Sequence, residues 1–231
     1  MQATEAPSAE KCCSDNRAIQ FLESSIGKKI MVALAGLLLC GFLVAHLLGN
    51  LLLFVGPGAF NKYASTLEHN PLLPLAEIGL VVLFLIHIAL AVRARMANMA
   101  ARPVAYQVSA DKGGRTPGSR TMAVSGSLIL LFLIVHLKSF RFAAKEMRET
   151  DMYQLVTSSF TNPLYAGFYV LALIGLGLHL SHGFQSGFQT LGFNHPRYTP
   201  TVRKIGLAFA ILATLGFASM PIYFGFLGGA K

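Results

Sequence analysis

Five stretches of nearly unbroken apolar residues dominate the chain, at Ile30–Val55, Leu75–Arg95, Met122–Phe142, Pro163–Gln189 and Ile205–Phe226, separated by polar runs containing Gly and Pro. A helix that crosses the hydrocarbon of a bilayer needs about 20 mostly apolar residues at roughly 1.5 Å each. All five stretches satisfy that length. The pattern predicts an all-α membrane protein, a bundle of five transmembrane helices forming one membrane domain over residues 30–228, behind a polar tail over residues 1–29.

The polar segments refine this picture. The tail MQATEAPSAEKCCSDNRAIQ lacks the short apolar core and small-residue cleavage site of a secretion signal, so it is expected to be retained, with the first helix serving as the targeting segment. After the first helix, VGPGAFNKYASTLEHNPLLP has breakers around an amphipathic run, Phe60 to Leu67, expected as a helix lying on the membrane surface. NMAARPVAYQVSADKGGRTPGSR reads as a basic loop available to a partner. The charges in KSFRFAAKEMRETDMYQ are expected to prolong the third helix beyond the bilayer before Asn162-Pro163 restarts the chain. No internal repeat or inverted pair of interrupted helices is visible, which argues against a transporter.

Charge fixes the expected orientation, because Lys and Arg accumulate on the cytoplasmic side. With the tail inside, 13 of the 19 basic residues fall in inner segments, and the outer group of Lys138, Arg141, Lys145 and Arg148 is offset by Glu146, Glu149 and Asp151. The N-terminus is thus expected in the cytoplasm and the C-terminus outside. The net charge of +9 follows from this rule and from anionic headgroups; no nucleic acid is needed to explain it. Cys12 and Cys13 lie in the tail and Cys40 in the first helix. No C-x-x-C-H sequence is present, so a haem would not be covalently attached.

The seven histidines are the informative chemistry. His69 and His195 fall in loops and read as solvated. The other five lie in the apolar segments: His46 in the first, His87 in the second, His136 in the third, and His179 and His182 in the fourth. A single such histidine is as well explained by a backbone hydrogen bond as by a function. Histidines on four consecutive helices are harder to explain that way, since polar groups at membrane depth are costly and face an interior, a ligand or a proton path. Counting along alternating helices puts His46 and His136 in the outer half, and His87 with His179 or His182 in the inner half. Paired imidazoles from facing helices suit six-coordinate haem b in a bundle core. Zinc or copper sites gather three or four ligands in one cluster, so two pairs at two depths favour two haems. Small residues beside the histidines, among them Ala45, Gly49, Ala89, Gly175, Gly177 and Gly183, would let a macrocycle approach the backbone, though they serve plain helix packing equally well.

The order of these features resembles the five-helix, two-haem cytochrome b membrane anchor of succinate dehydrogenase and fumarate reductase, over roughly residues 24 to 226. The likeness rests on SSIGKK, AHLLGN and GAFNKYASTLE around the first helix, FLIHIALAVR in the second, LIVHL in the third and HLSHGF, similar to an H-x-S-x-G pattern, in the fourth. The resemblance implies that His46 and His136 are iron ligands of an outer haem b, and His87 and His179 of an inner one. His182 then stands at the free position of that pattern, near a haem propionate or an inner quinone, or else bonded to backbone or facing headgroups. Glu68 would be the acid/base group at a menaquinone site, with Glu77 as a second candidate; quinone chemistry takes up and releases protons, so such a group is chemically expected. Some two-haem fumarate reductases carry a Glu where this chain has Gly177, which favours succinate oxidation with quinone reduction.

The family's partners are a flavoprotein subunit, which holds the succinate site, and an iron-sulphur subunit, docked on the inner face of a bacterial-type cytoplasmic membrane. The rivals are the haem b anchor of another quinone-linked complex, such as nitrate reductase or hydrogenase, and a haem-free proton-coupled transporter.

Overall fold

The computed structural model describes residues 17–101, 116–143 and 151–229. Cys12, Cys13, Lys11, most of the basic loop and the run Lys145 to Glu149 lie outside the described residues. Every regular element among those described is helical. In chain order they are α1 (Arg17–Glu23), α2 (Ser25–Leu51), α3 (Pro57–Glu68), α4 (Leu73–Ala100), α5 (Pro117–His136), α6 (Met152–Phe160), α7 (Pro163–Thr190) and α8 (Thr199–Phe226). Five of them, α2, α4, α5, α7 and α8, are long and apolar enough to cross a membrane, which makes this a multi-pass membrane protein by fold.

Helices α2 and α5 start ahead of their apolar stretches because polar caps set their first turns. Ser24 accepts a hydrogen bond from the Gly27 amide at 3.0 Å and so starts α2 before Lys28 and Lys29. Thr116 and Ser119 form a reciprocal capping box at the start of α5, with bonds of 3.0 and 3.1 Å, satisfying amides that a bare helix end leaves open. Asn162 caps α7 with Pro163 at its first position, as the sequence predicts.

The five long helices alternate in direction, and one end of the bundle is closed by a shared core. Leu53, Phe60, Phe140, Leu155, Phe160, Ala166, Tyr169 and Phe224 pack together there, joining the end of α2, the surface helix α3, the end of α5, α6, the start of α7 and the end of α8. We call this the cap end and the opposite one, where α1 folds onto α2, the tail end. The expected surface helix is present and slightly longer than predicted. Phe60 is buried in the cap core, and Asn61 fastens α3 to α6 by accepting from the Tyr153 amide at 2.8 Å and donating to Asp151 at 3.1 Å.

The region after α5 differs from expectation. The third helix does not simply run on: after His136 it relaxes into a π turn, Leu137–Arg141, and α6 is a separate helix capped by Asp151. A π turn accommodates an extra residue. Here it lets adjacent positions diverge, with Phe140 buried in the cap core and Arg141 bonded to Glu77 at the start of α4.

Packing is uneven. The closest pairs are α7 with α8 and α5 with α7, while α2 touches α4, α7 and α8. Helix α4 packs only against α2 to a comparable extent, and none of its residues is buried. It reaches the far side of the bundle through side chains.

Candidate cofactor site: two facing histidine pairs

The four helices bring their histidines together in pairs. In the cap half, His46 of α2 and His136 of α5 face each other with ring centroids 5.8 Å apart and planes at 89°. In the tail half, His87 of α4 and His179 of α7 lie 6.3 Å apart with planes at 68°. Neither pair stacks face to face; both are edge-on, T-shaped arrangements. Tyr169, which touches His136, precedes His179 by ten residues on α7, so the two pairs are separated by roughly 15 Å along the bundle. His182 is not part of either ring pair. Its Nδ1 is buried without a hydrogen-bond partner, and its Cβ lies close to Gly118 at the start of α5. His69 and His195 sit in exposed turns.

The surroundings of the pairs differ. The cap pair is walled by aromatic rings: Phe42 stacks on His46 at 5.3 Å and Phe217 lies at 5.7 Å, while Phe132, Phe140 and Tyr169 surround His136 at 5.4, 5.3 and 6.2 Å. His136 Nδ1 is 3.3 Å from the Tyr169 hydroxyl. Among the described residues, the tail pair has no aromatic ring beside it except its own two imidazoles. His179 Nδ1 is 3.4 Å from Ser125 Oγ, and His87 Nδ1 is buried and unpartnered.

A haem held between two histidines needs both rings to reach one metal from opposite sides. With metal–nitrogen bonds of about 2.0–2.1 Å, the two ring centroids would stand roughly 6–6.5 Å apart. The tail pair at 6.3 Å falls in that range and the cap pair at 5.8 Å lies just short of it. In His136 and His179 the nitrogen facing a hydroxyl is Nδ1, which leaves Nε2 available to a metal. His87 Nδ1 is without a partner, while the ring bonds to the Val32 backbone of α2. His46 is the exception. Its Nε2 lies 3.4 Å from Asn50 Nδ2, an amide that also donates to the His46 carbonyl at 2.8 Å, so the ring must turn to present that nitrogen. Among the described residues no three His, Cys, Asp or Glu side chains converge; the histidines meet as pairs.

The small residues beside the tail pair are Gly36 and Gly126. A Cβ at Gly36 would stand 3.2 Å from His87 Cε1, and one at Gly126 would stand 3.6 Å from His179 Cε1. The sequence singles out other positions, and several of those do plain packing work. Gly49 makes room for Tyr63, Gly175 for Leu128 and Gly177 for Thr214 of α8. Gly177 therefore faces α8, and a Glu there would displace Thr214.

At the cap end, Glu68 closes α3 and is half-buried. Arg141 grips Glu77 with two bonds, Nε to Oε1 at 2.5 Å and Nη2 to Oε2 at 2.9 Å, and lies within electrostatic reach of Glu68. Both candidate carboxylates thus share one guanidinium, a partner that residue spacing does not reveal. An apolar depression of about 400 Å³, lined by Phe54, Leu215, Tyr223 and Leu227 among others, lies on α8 and borders neither Glu68 nor any histidine.

Compared with protein-family models, with curated proteins and with solved structures, the chain finds no match.

Proposed function

We propose that this protein is the membrane anchor and electron-transfer subunit of a succinate:quinone oxidoreductase, succinate dehydrogenase or fumarate reductase, and that it carries two haems b. The observation that carries the reading is the pairing of histidines from four helices at two depths of one bundle. Two stacked pairs suit two bis-histidine haems, whereas a solitary buried histidine needs no cofactor to explain it.

In this reading His46 and His136 hold the haem in the cap half, and His87 and His179 hold the haem in the tail half. A haem held by each pair would supply one-electron transfer across the membrane. The protein's own residues set the positions of the imidazoles, exclude water through the aromatic wall around His136, and keep the two pairs on one axis. The facing geometry favours His179 over His182 as the tail-half ligand. His182, about 4.5 Å further along α7, is assigned to a haem propionate or an inner quinone.

The tail end faces the cytoplasm by the distribution of basic residues, which puts the cap end outside and the C-terminus with it. A flavoprotein subunit and an iron-sulphur subunit dock on the tail side of a bacterial-type cytoplasmic membrane, and the succinate site belongs to the flavoprotein. Haems held by the tail-half and cap-half pairs would link the iron-sulphur subunit to a quinone, menaquinone by the resemblance. Glu68, at the cap end and beside Arg141, gives or takes the quinone's protons.

Purification of the intact complex from its native membrane, with subunit identification and a redox-titrated absorption spectrum, tests the assignment. The expected result is a flavin-containing partner, an iron-sulphur partner and two reducible haems b. Partners without flavin would reassign the anchor to another quinone-linked complex; a preparation with no reducible haem would favour a haem-free transporter that uses the histidines as proton relays.

A further inference from the structure

We propose that Tyr169 is a positioning residue for His136: its phenol oxygen takes the Nδ1–H hydrogen bond of that ring, fixes its orientation and raises the basicity of the opposite nitrogen. The inference rests on the reading of His136 as an iron ligand. It assigns a role to a side chain that neither the histidine pattern nor the pairing requires.

Tyr169 is 4% exposed, in the aromatic cluster formed by Phe132, Phe140, Phe160 and Tyr165 at centroid distances of 4.9, 6.3, 5.2 and 4.7 Å. A phenol buried that deeply is expected to have hydrogen-bond partners. It has two. The Tyr165 hydroxyl, one helical turn earlier on α7, donates to the Tyr169 oxygen at 2.8 Å, and His136 Nδ1 lies 3.3 Å from the same oxygen. A neutral imidazole carries one N–H, and a ring bound to iron through Nε2 must carry it on Nδ1. The Tyr169 oxygen is then the acceptor, with Tyr165 holding it in place.

The tail pair has its own contacts: Ser125 Oγ, which donates to the Thr121 carbonyl at 2.9 Å, keeps its lone pairs for His179 Nδ1, 3.4 Å away, and His87 bonds to the Val32 backbone. The Tyr169 hydroxyl meets His136 and neither tail-half ring. An acceptor on the distal N–H raises the basicity of a ligating imidazole, which favours ferric over ferrous iron. The effect of Tyr169 is therefore confined to the cap-half haem.

The test is a redox titration of the purified complex carrying Tyr169→Phe, which keeps the ring and removes only the hydroxyl. The cap-half couple is identified as the one missing from His136→Ala. We expect haem content to be unchanged and the ferric preference of that couple to fall about tenfold, a rise of about 59 mV for one electron, with the other couple unmoved. Tyr165→Phe, which leaves the Tyr169 hydroxyl in place but untethered, moves the same couple by less and serves if the first variant assembles poorly. Two couples at wild-type potentials in both variants, or a shift confined to the other couple, would overturn the proposal. A wild-type complex without reducible haem would instead overturn the underlying reading, and that result is read before any variant is made.

Discussion

The cap-half and tail-half histidine pairs use the same residue type on facing helices, yet the protein supports them in opposite ways. His46 and His136 sit among Phe42, Phe132, Phe140, Tyr169 and Phe217, next to a core that six segments of the chain share. His87 and His179 have glycines beside them, and one of the two helices that carry them, α4, has no buried residue. The difference teaches that a pocket can be shaped from two directions. In the cap half the protein packs aromatic rings around the imidazoles, and in the tail half it packs the imidazoles against glycines.

That contrast can be broken or sharpened by substitution. The largest effect is expected from the ligands: His87→Ala or His179→Ala should remove the tail-half haem completely and spare the other, while His182→Ala should keep both. Haem content per chain measures this, and loss in His182→Ala with full occupancy in His179→Ala would reverse the choice on α7. Next, Phe140→Ala should open a cavity beside His136 and destabilise the cap half by on the order of 3 kcal/mol, read from thermal unfolding in detergent with the cap-half haem lost first. Simultaneous loss of both haems would show that the halves are not separable. Glu68→Gln should slow quinone turnover about 100-fold, the lower range for loss of an acid/base group, with both haems in place; unchanged turnover would remove Glu68 from the site. The smallest effect is expected for Arg141→Gln. The Arg141–Glu77 pair is 37% and 33% exposed, so its loss should cost no more than about 1 kcal/mol, measurable as a slightly lower unfolding temperature.

The five helices, the surface helix around Phe60 and the grouping of histidines by depth were legible in the sequence, because each follows from apolar length or from counting along a helix. The resemblance chose His179 over His182, a single turn away, but which of them meets His87 depends on the rotation of α7 against α4. Rotation is set by contacts such as Gly177 on Thr214 and Gly175 on Leu128, and those require the partner helix. For the same reason Gly36 and Gly126 were missed as the small residues beside the tail pair. Tyr169 carried a faint signal, since Tyr165 and Tyr169 are four apart on one face of α7, but the residue they face is fixed only by packing. The Arg141–Glu77 bond was hidden because the π turn after His136 has no plain sequence mark. The charged run Lys145 to Glu149 lies outside the described residues, and the helix that Asp151 caps after it had no apolar length to mark it.

The central claim, one haem b in each histidine pair, is tested most directly by haem quantification and reduced-minus-oxidised spectra of four purified proteins: wild type, His136→Ala, His179→Ala and the double variant. The expected result is two haems per chain, then one, one and none, with each single variant losing a different redox couple. Two haems remaining in either single variant, or a wild type without haem, would contradict it.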